Sequence, residues 1–230
     1  MAKALDLQAR LNEKLADLLL TCVIKSGRVV IEVSANDLLA VCYLLRDDPQ
    51  FQFECLMDIA GVDYSHYGVD EWETTEASTE GFSRGVESLT AKVANAPTAR
   101  PRFGVVYQLL SITQNHRLTL RTYAEGEPPL LDSVIEVWPS ANWNEREVFD
   151  LFGVLFRNHP DLRRILTDYG FIGYPFRKDF PLSGEVEVRY DATTRRVIYE
   201  PVEITPRVLV PKVIRVDETQ LNFAQDDAGK

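Results

Sequence analysis

Between Trp143 and Phe152 the chain places Glu145, Arg146, Glu147 and Asp150 among Val, Leu and two Phe. Charges set against apolar neighbours are seldom buried unless they are paired. Any fold this chain adopts must therefore supply partners for this run. Helix signals surround it. Asn142 reads as the N-cap with Glu145 at N3, a relative of the capping box, and Gly153 reads as the left-handed stop. At 3.6 residues per turn Trp143, Glu147, Asp150 and Leu151 share one side, and Arg146 and Asp150 form an i,i+4 pair. Phe149 and Phe152 lie on another stripe, so both sides of the helix are expected to meet protein. Glu145 is expected in the first turn, close to solvent and to the positive end of the helix dipole.

His159-Pro160 and Arg163-Arg164-Ile165-Leu166 follow closely. The candidate residues are Glu145, Arg146, Glu147, Asp150, His159 and Arg163, and they admit two readings. One is a metal or acid–base cluster, as in a metal-dependent hydrolase, because hard cations take several carboxylates and histidine titrates near neutrality. The other is a structural ion-pair lattice. Arg146 lies between the acids and can satisfy them without a metal, and Glu145 and Glu147 point about 200° apart on a helix. The residues favour the lattice, centred on Arg146 with Asp150. His159 then serves as a capping or hydrogen-bonding residue at a short helix start.

The rest of the chain mixes helices and strands without a steady βαβ rhythm. Ala4 to Leu19 reads as a helix with Leu7, Leu11, Leu15 and Leu18 on one face, and Arg28 to Val33 as a strand. Ser34 caps a helix whose buried stripe is Leu38, Val41, Cys42 and Leu45. Phe53, Cys55, Met57 and Ile59 line one face of a further strand. Phe103–Ile112 and Arg117–Tyr123 make a hairpin with Leu118 and Leu120 inward. Pro128-Pro129 opens a helix carrying Leu131, Val134, Ile135 and Trp138, and Pro139 ends it. The expected class is α+β: a two-layer domain with a mainly antiparallel sheet and helices, followed by a long extended C-terminal tail.

Two segments depart from this pattern. Asp70 to Arg100 is rich in Glu, Thr, Ser, Gly and Ala and reads as a surface insertion with a helical turn near Val86–Ala94. From about Asp168 onward Pro175, Pro181, Pro201, Pro206 and Pro211 break any helix, and Val186–Tyr190, Val197–Tyr199 and Val208–Val216 are strand-like. Yet Phe171, Tyr174, Phe176, Phe180, Tyr190 and Tyr199 are too many aromatics for a solvated linker. A tail like that is expected to lie on other surfaces, its own domain's and a partner's. The expected domains are 1–167, with the insertion at 65–100, and the wrapping tail 168–230, with Arg177, Lys178, Asp179, Phe180, Tyr190 and Tyr199 as partner-facing residues.

Charge and cysteine usage exclude other classes. A net charge of -10 argues against a nucleic-acid surface and gives no polybasic lipid anchor. No apolar run approaches the ~20 residues of a spanning helix, and the opening residues do not form a signal peptide. The chain is expected to face the cytosol and to reach a membrane only through partners. Cys22, Cys42 and Cys55 are scattered and read as buried small hydrophobes rather than iron–sulfur or zinc ligands. No phosphate-binding loop, nucleophile elbow or dinucleotide loop is present.

Glu145-Arg-Glu-x-x-Asp-Leu-Phe152, followed by His159-x-x-x-Arg163-x-Ile-Leu166, resembles the signature of the thirty-kilodalton subunit family of respiratory complex I. The likeness runs on through Arg164-Ile-Leu-Thr-Asp-Tyr-Gly-Phe171, Arg177-Lys-Asp-Phe-Pro-Leu182, Val186-Glu-Val-Arg-Tyr-Asp191 and Tyr199-Glu-Pro201. Upstream it takes in Phe53–Tyr64 and Val105–Ser111. Gly173-Tyr174-Pro175 stands where the family usually has Gly-His-Pro, so no histidine is available there as ligand or proton carrier. Glu185 follows Gly184 where an aromatic is common.

The resemblance implies a non-redox subunit in the peripheral arm of a proton-translocating NADH:quinone oxidoreductase of the bacterial type. It implies no cofactor in this chain, with FMN, Fe-S clusters and quinone held by other subunits. It further implies packing on the forty-nine-kilodalton quinone-site subunit beside the Fe-S subunits, at the cytoplasmic side of the inner membrane. The equivalent subunit of a related membrane-bound hydrogenase is the alternative.

Overall fold

The computed structural model describes residues 2–65, 67, 72–74, 86–88 and 101–203. The described chain falls into two units. The first spans residues 1–67 and 98–184, and the second residues 68–97 and 185–230.

In the first unit, α1 (Ala2–Lys14) leads into β1 (Leu19–Lys25) and β2 (Arg28–Val33). The helix buries Leu7 and Leu11 and ends at Lys14, Leu15 is buried just beyond it, and Leu19 begins a strand that the leucine spacing had absorbed into the helix. A two-residue turn joins the strands, with Ser26 and Gly27 both at positive φ. That backbone twist matches the twist of paired strands. α2 (Leu38–Asp47) buries Leu38, Val41, Cys42 and Leu45 as its spacing predicts. Ahead of it the Ser34 hydroxyl accepts the Asp37 N–H.

β3 (Cys55–Asp63), β6 (Phe103–Ser111) and β7 (His116–Ala124) complete a five-stranded sheet in the order β1-β2-β7-β6-β3. Three of its four pairings are antiparallel and β2–β7 is parallel, so the class is α+β with a mainly antiparallel sheet. The β6–β7 hairpin buries Leu118 and Leu120 as expected. β3 does not keep simple alternation. Its register shifts between Leu56 and Asp58, which leaves Met57 exposed and turns Leu56 inward. A bulge resets the face a strand presents.

The Pro128-Pro129 segment is not a helix. Leu130–Asp132 forms a short strand, β8, parallel to β9 (Leu155–Arg157). One turn follows, in which the Trp138 N–H reaches the Val134 carbonyl. Helical spacing had been read across a strand and a turn that both bury apolar groups. α3 (Ala141–Phe152) is the charged helix, and it packs against β3. Asn142 is not its N-cap, because the helix starts at Ala141 after Ser140.

The boundary of the first unit lies at Gly184. Residues 168–184 pack on α3: the Phe176 N–H donates to the Leu151 carbonyl, Tyr174 meets Phe149 edge-on and Phe176 meets Phe152. In the second unit β4 (Trp72–Thr74) pairs with β5 (Val86–Ser88), where a helical turn was expected near Val86. β10 (Val186–Asp191) and β11 (Arg196–Pro201) form an antiparallel ribbon. The expected strand at 208–216 lies outside the described residues.

Candidate functional site

α3 carries two fully buried carboxylates on either side of Arg146. Asp150 is the better supplied. Its Oδ2 accepts the consecutive N–H groups of Ile165, Leu166 and Thr167 at 3.1, 2.7 and 2.9 Å, and its Oδ1 accepts the Thr167 hydroxyl at 2.6 Å and Arg164 at 3.1 Å. Burial would raise its pKa. The Thr167 hydroxyl and the backbone donors overcome this and hold it below the ordinary carboxylate value. Successive N–H groups converging on one anion make a nest, here closed around a side chain.

Glu145 is held differently. Its Oε2 accepts the Ser133 hydroxyl at 2.6 Å and its Oε1 the Val134 N–H at 2.7 Å. The nearest basic group among the described residues is His159, whose Nε2 lies 3.9 Å from Oε2. That nitrogen is 3.2 Å from the Asn142 carbonyl, while Nδ1 accepts the Asp161 N–H. These partners fit the neutral tautomer with its proton on Nε2. Desolvation therefore dominates at Glu145 and pushes its pKa up to about 7, against the lowering effect of its two donors. The expectation of a solvent-near first-turn acid is overturned. Sequence reasoning also missed what lies around it. Cys42 and Tyr107 are fully buried, their pKa values raised first by burial and then by Glu145, and the Tyr107 hydroxyl has no protein partner among the described residues.

Arg146 is not the centre of the lattice. Its Nε donates to the Arg163 carbonyl at 3.0 Å and its guanidinium lies 5.1 Å from the Trp143 ring centroid. The i,i+4 partner predicted for Asp150 is replaced by Arg164, fourteen residues on. Glu147 is exposed. Arg163 is exposed and pairs locally with Asp161. His159 makes its hydrogen bonds in a turn rather than at a helix start.

A second group of charges fastens residues 164–179. Arg164 reaches the Gly173 carbonyl, and its guanidinium lies 5.0 Å from the Tyr174 centroid. Arg177 lies 4.3 Å from the same ring and 4.8 Å from Phe103, and its Nε donates to the Phe152 carbonyl at 2.6 Å. Asp63, at the end of β3, accepts two donors from Arg102 together with the Ser65 and Lys178 N–H groups. Burial opposes ionisation there, but those donors prevail and lower its pKa to about 2. Gly153 is the helix stop at φ 73°, and any Cβ there would collide with Arg177 and Tyr174. Two demands meet at that glycine.

The three cysteines lie on β1, α2 and β3, and only Cys42 is buried. Among the described residues no group of three or more His, Cys, Asp and Glu is placed to hold a metal ion. No described helix is long and apolar enough to cross a membrane. The polar geometry on α3 thus fastens three elements to one helix: the 133–135 turn, the His159 turn and the segment 163–177.

Residues 31–186 match the family described as respiratory-chain NADH dehydrogenase, 30 Kd subunit. The chain belongs to this family. It is 55% identical over 217 residues to the C subunit of the NADH-quinone oxidoreductase of Coxiella burnetii (strain RSA 493 / Nine Mile phase I), covering 94% of this chain and 95% of the relative. It is 53% identical over 217 residues to that of Legionella pneumophila (strain Paris), with the same coverage. Among solved structures it is similar to a trypsin-resistant fragment of Nqo5, with a TM-score of 0.50 and 27% identity over 68% of this chain and 98% of that one. A chain of the membrane-bound sulfane sulfur reductase, an archaeal respiratory membrane complex, shares the fold, with a TM-score of 0.51 and 20% identity over 78% of this chain and 86% of that one. The chain is therefore a subunit of the NADH-quinone oxidoreductase type, and other subunits of complex I are its partners.

Proposed function

We propose that this chain is a non-redox brace of the peripheral arm, seated against the forty-nine-kilodalton quinone-site subunit on the cytoplasmic side of the bacterial inner membrane. FMN, the Fe-S clusters and quinone belong to neighbouring subunits, which carry electrons from NADH to quinone and couple the transfer to proton translocation. The observation that carries this reading is the two-faced β10–β11 ribbon.

The register pairs Val186 with Pro201, Val188 with Tyr199 and Tyr190 with Val197, so all six lie on one face. The other face holds Glu187, Arg189, Ile198 and Glu200, with Arg189 paired to Glu200. Val186, Val188, Tyr190, Val197 and Tyr199 are each more than half exposed. A two-stranded ribbon is marginal alone in water, and an apolar face of this kind marks a protein contact. The first unit adds Leu166, Tyr169, Ile172, Phe176 and Leu182, also exposed on the segment that α3 fastens.

The experiment is Val188→Asp together with Tyr199→Asp in the genomic copy. Native gels should show loss of assembled complex, while the purified variant chain keeps its fold. Normal assembly and normal NADH:quinone turnover in that double variant would remove the brace. Iron and flavin analysis of the wild-type chain tests the cofactor assignment, and stoichiometric amounts of either would overturn it.

A further inference from the structure

Beside Gly153 a cleft of about 880 Å³ opens between the β7–β8 connection and the segment that carries Arg177. Phe103, Pro128 and Leu155 give it apolar walls, Tyr174 and Arg177 lie on one side, and Glu125, Glu127 and Arg102 are also among its lining, with Arg102 already paired to Asp63 and Asp179. Arg177 is an unusual cation. Its guanidinium lies near the Phe103 and Tyr174 rings, and the single N–H with a protein acceptor is the one on Nε. A guanidinium carries five such donors, so both terminal nitrogens lack acceptors among the described residues. Arg177 has no carboxylate in ion-pair contact there, whereas its neighbour Arg102 holds Asp63 and Asp179.

We propose that this cleft receives a polypeptide segment of a partner subunit bearing one aspartate or glutamate, whose carboxylate takes the free edge of Arg177. Three observations bear on the occupant. A planar, ring-stacked guanidinium with free terminal donors matches a carboxylate in a forked geometry. The cavity is much larger than a carboxylate, and its proline, phenylalanine and leucine walls suit the small apolar residues flanking one. Glu125 and Glu127 disfavour a run of acids, which sets the charge of the segment at a single acid with neutral or basic neighbours. Burial and the nearby charge of Arg102 both lower the proton affinity of Arg177, in that order, and the opposite charge of a bound carboxylate would offset them. The lining of the cleft and the ribbon face share no residue, so the Arg177 and Glu127 variants and the Val188→Asp/Tyr199→Asp variant change different side chains and the two readings fail independently.

The test is an NMR titration of the purified full-length chain, following the Arg177 Nε–H and Tyr174 ring signals. The probes are the end-blocked peptides Ala-Asp-Ala, Ala-Asn-Ala and Asp-Asp-Asp, with sodium phosphate as a separate arm. Ala-Asp-Ala is expected to shift both signals and to bind roughly tenfold or more tightly than Ala-Asn-Ala, the share of a charge-assisted hydrogen bond. Arg177→Gln should abolish the difference between those two peptides. Asp-Asp-Asp should bind no better than Ala-Asp-Ala to wild type and should gain in Glu127→Gln, an exposed substitution that spares the fold. The proposal is overturned if Ala-Asn-Ala binds as well as Ala-Asp-Ala, or if phosphate occupies Arg177 in preference to the peptide. It also falls if no peptide shifts these signals, or if Glu127→Gln leaves the preference between one acid and three unchanged.

Discussion

Glu145 and Asp150 sit five residues apart on one helix, both without exposed surface, yet their acidities move in opposite directions. Burial is common to the two, so it cannot be the cause of the difference. Asp150 gathers three backbone N–H groups, a hydroxyl and the Arg164 guanidinium. Glu145 has one hydroxyl, one N–H and a histidine at 3.9 Å. A buried carboxylate stays ionised when its donors outweigh the solvation it has lost. Asp150 is on the ionised side of that balance and Glu145 lies near its midpoint.

Removing the better-supplied acid should do the most damage. Asp150→Ala strands Arg164 and three N–H groups, and breaking a buried pair of this kind costs about 3–5 kcal/mol. Urea midpoints should fall accordingly, and limited proteolysis should cut first between residues 163 and 177, which the nest fastens. A loss below about 1 kcal/mol, within the range of an ordinary hydrogen bond, would mean that the nest is dispensable.

Glu145→Gln sharpens the contrast because its effect should depend on pH. A carboxyl with a native pKa of about 7 and an ordinary value of 4.5 holds its proton more tightly folded than unfolded. Its contribution is fully present below the unfolded pKa and is eroded as pH rises through the native one, by about 3 kcal/mol when complete. Glutamine can accept the Val134 N–H and donate to Ser133, as the protonated acid does. The variant should match wild type near pH ~5 and exceed it by ~2–3 kcal/mol near pH ~8.5 in chemical denaturation. Parallel stability curves over that range would refute a raised proton affinity at Glu145. Asp63 and Asp150 have the opposite sign. Their lowered pKa values make a contribution that is present above the unfolded value and lost as pH falls through the native one, so stability should fall on the acid side too.

Arg146→Ala should cost less than Asp150→Ala, about 1–2 kcal/mol, because it removes one hydrogen bond to a carbonyl and one stacking contact. Trp143 fluorescence should change with it. A loss as large as that of Asp150→Ala would restore Arg146 to the centre of the lattice. Glu147→Ala, at an exposed position, should stay within about 0.5 kcal/mol, and a larger change in the isolated chain would show a missed partner.

Much of this was legible in the residues. The stripe of α2, the β6–β7 hairpin, the Gly153 stop and the surface-bound aromatics of 171–180 followed from periodicity, turn chemistry and the impossibility of solvating so many rings. The run on α3 announced that its charges needed partners. It did not say which. The i,i+4 rule assigned Arg146 to Asp150 because a helix offers local neighbours, whereas the chain reverses after β9 and brings in Arg164 and three N–H groups. Backbone donors leave no trace in side-chain spacing, so the nest could not be read. β1 and β8 were missed for a related reason: leucines at helical spacing and apolar residues after a proline pair also suit strands, whose hydrogen-bonding partners lie on other segments.

Sequence by itself determined the family, the class of fold and the fact that the charges between Trp143 and Phe152 needed partners. These depend on residue type and near spacing, which the chain carries locally. Only the tertiary structure decided which carboxylate is ionised, where Arg146 goes and which face of the ribbon is left open. Those outcomes depend on the number and direction of donors brought from distant segments, and on solvent excluded by packing, neither of which exists until the chain has folded.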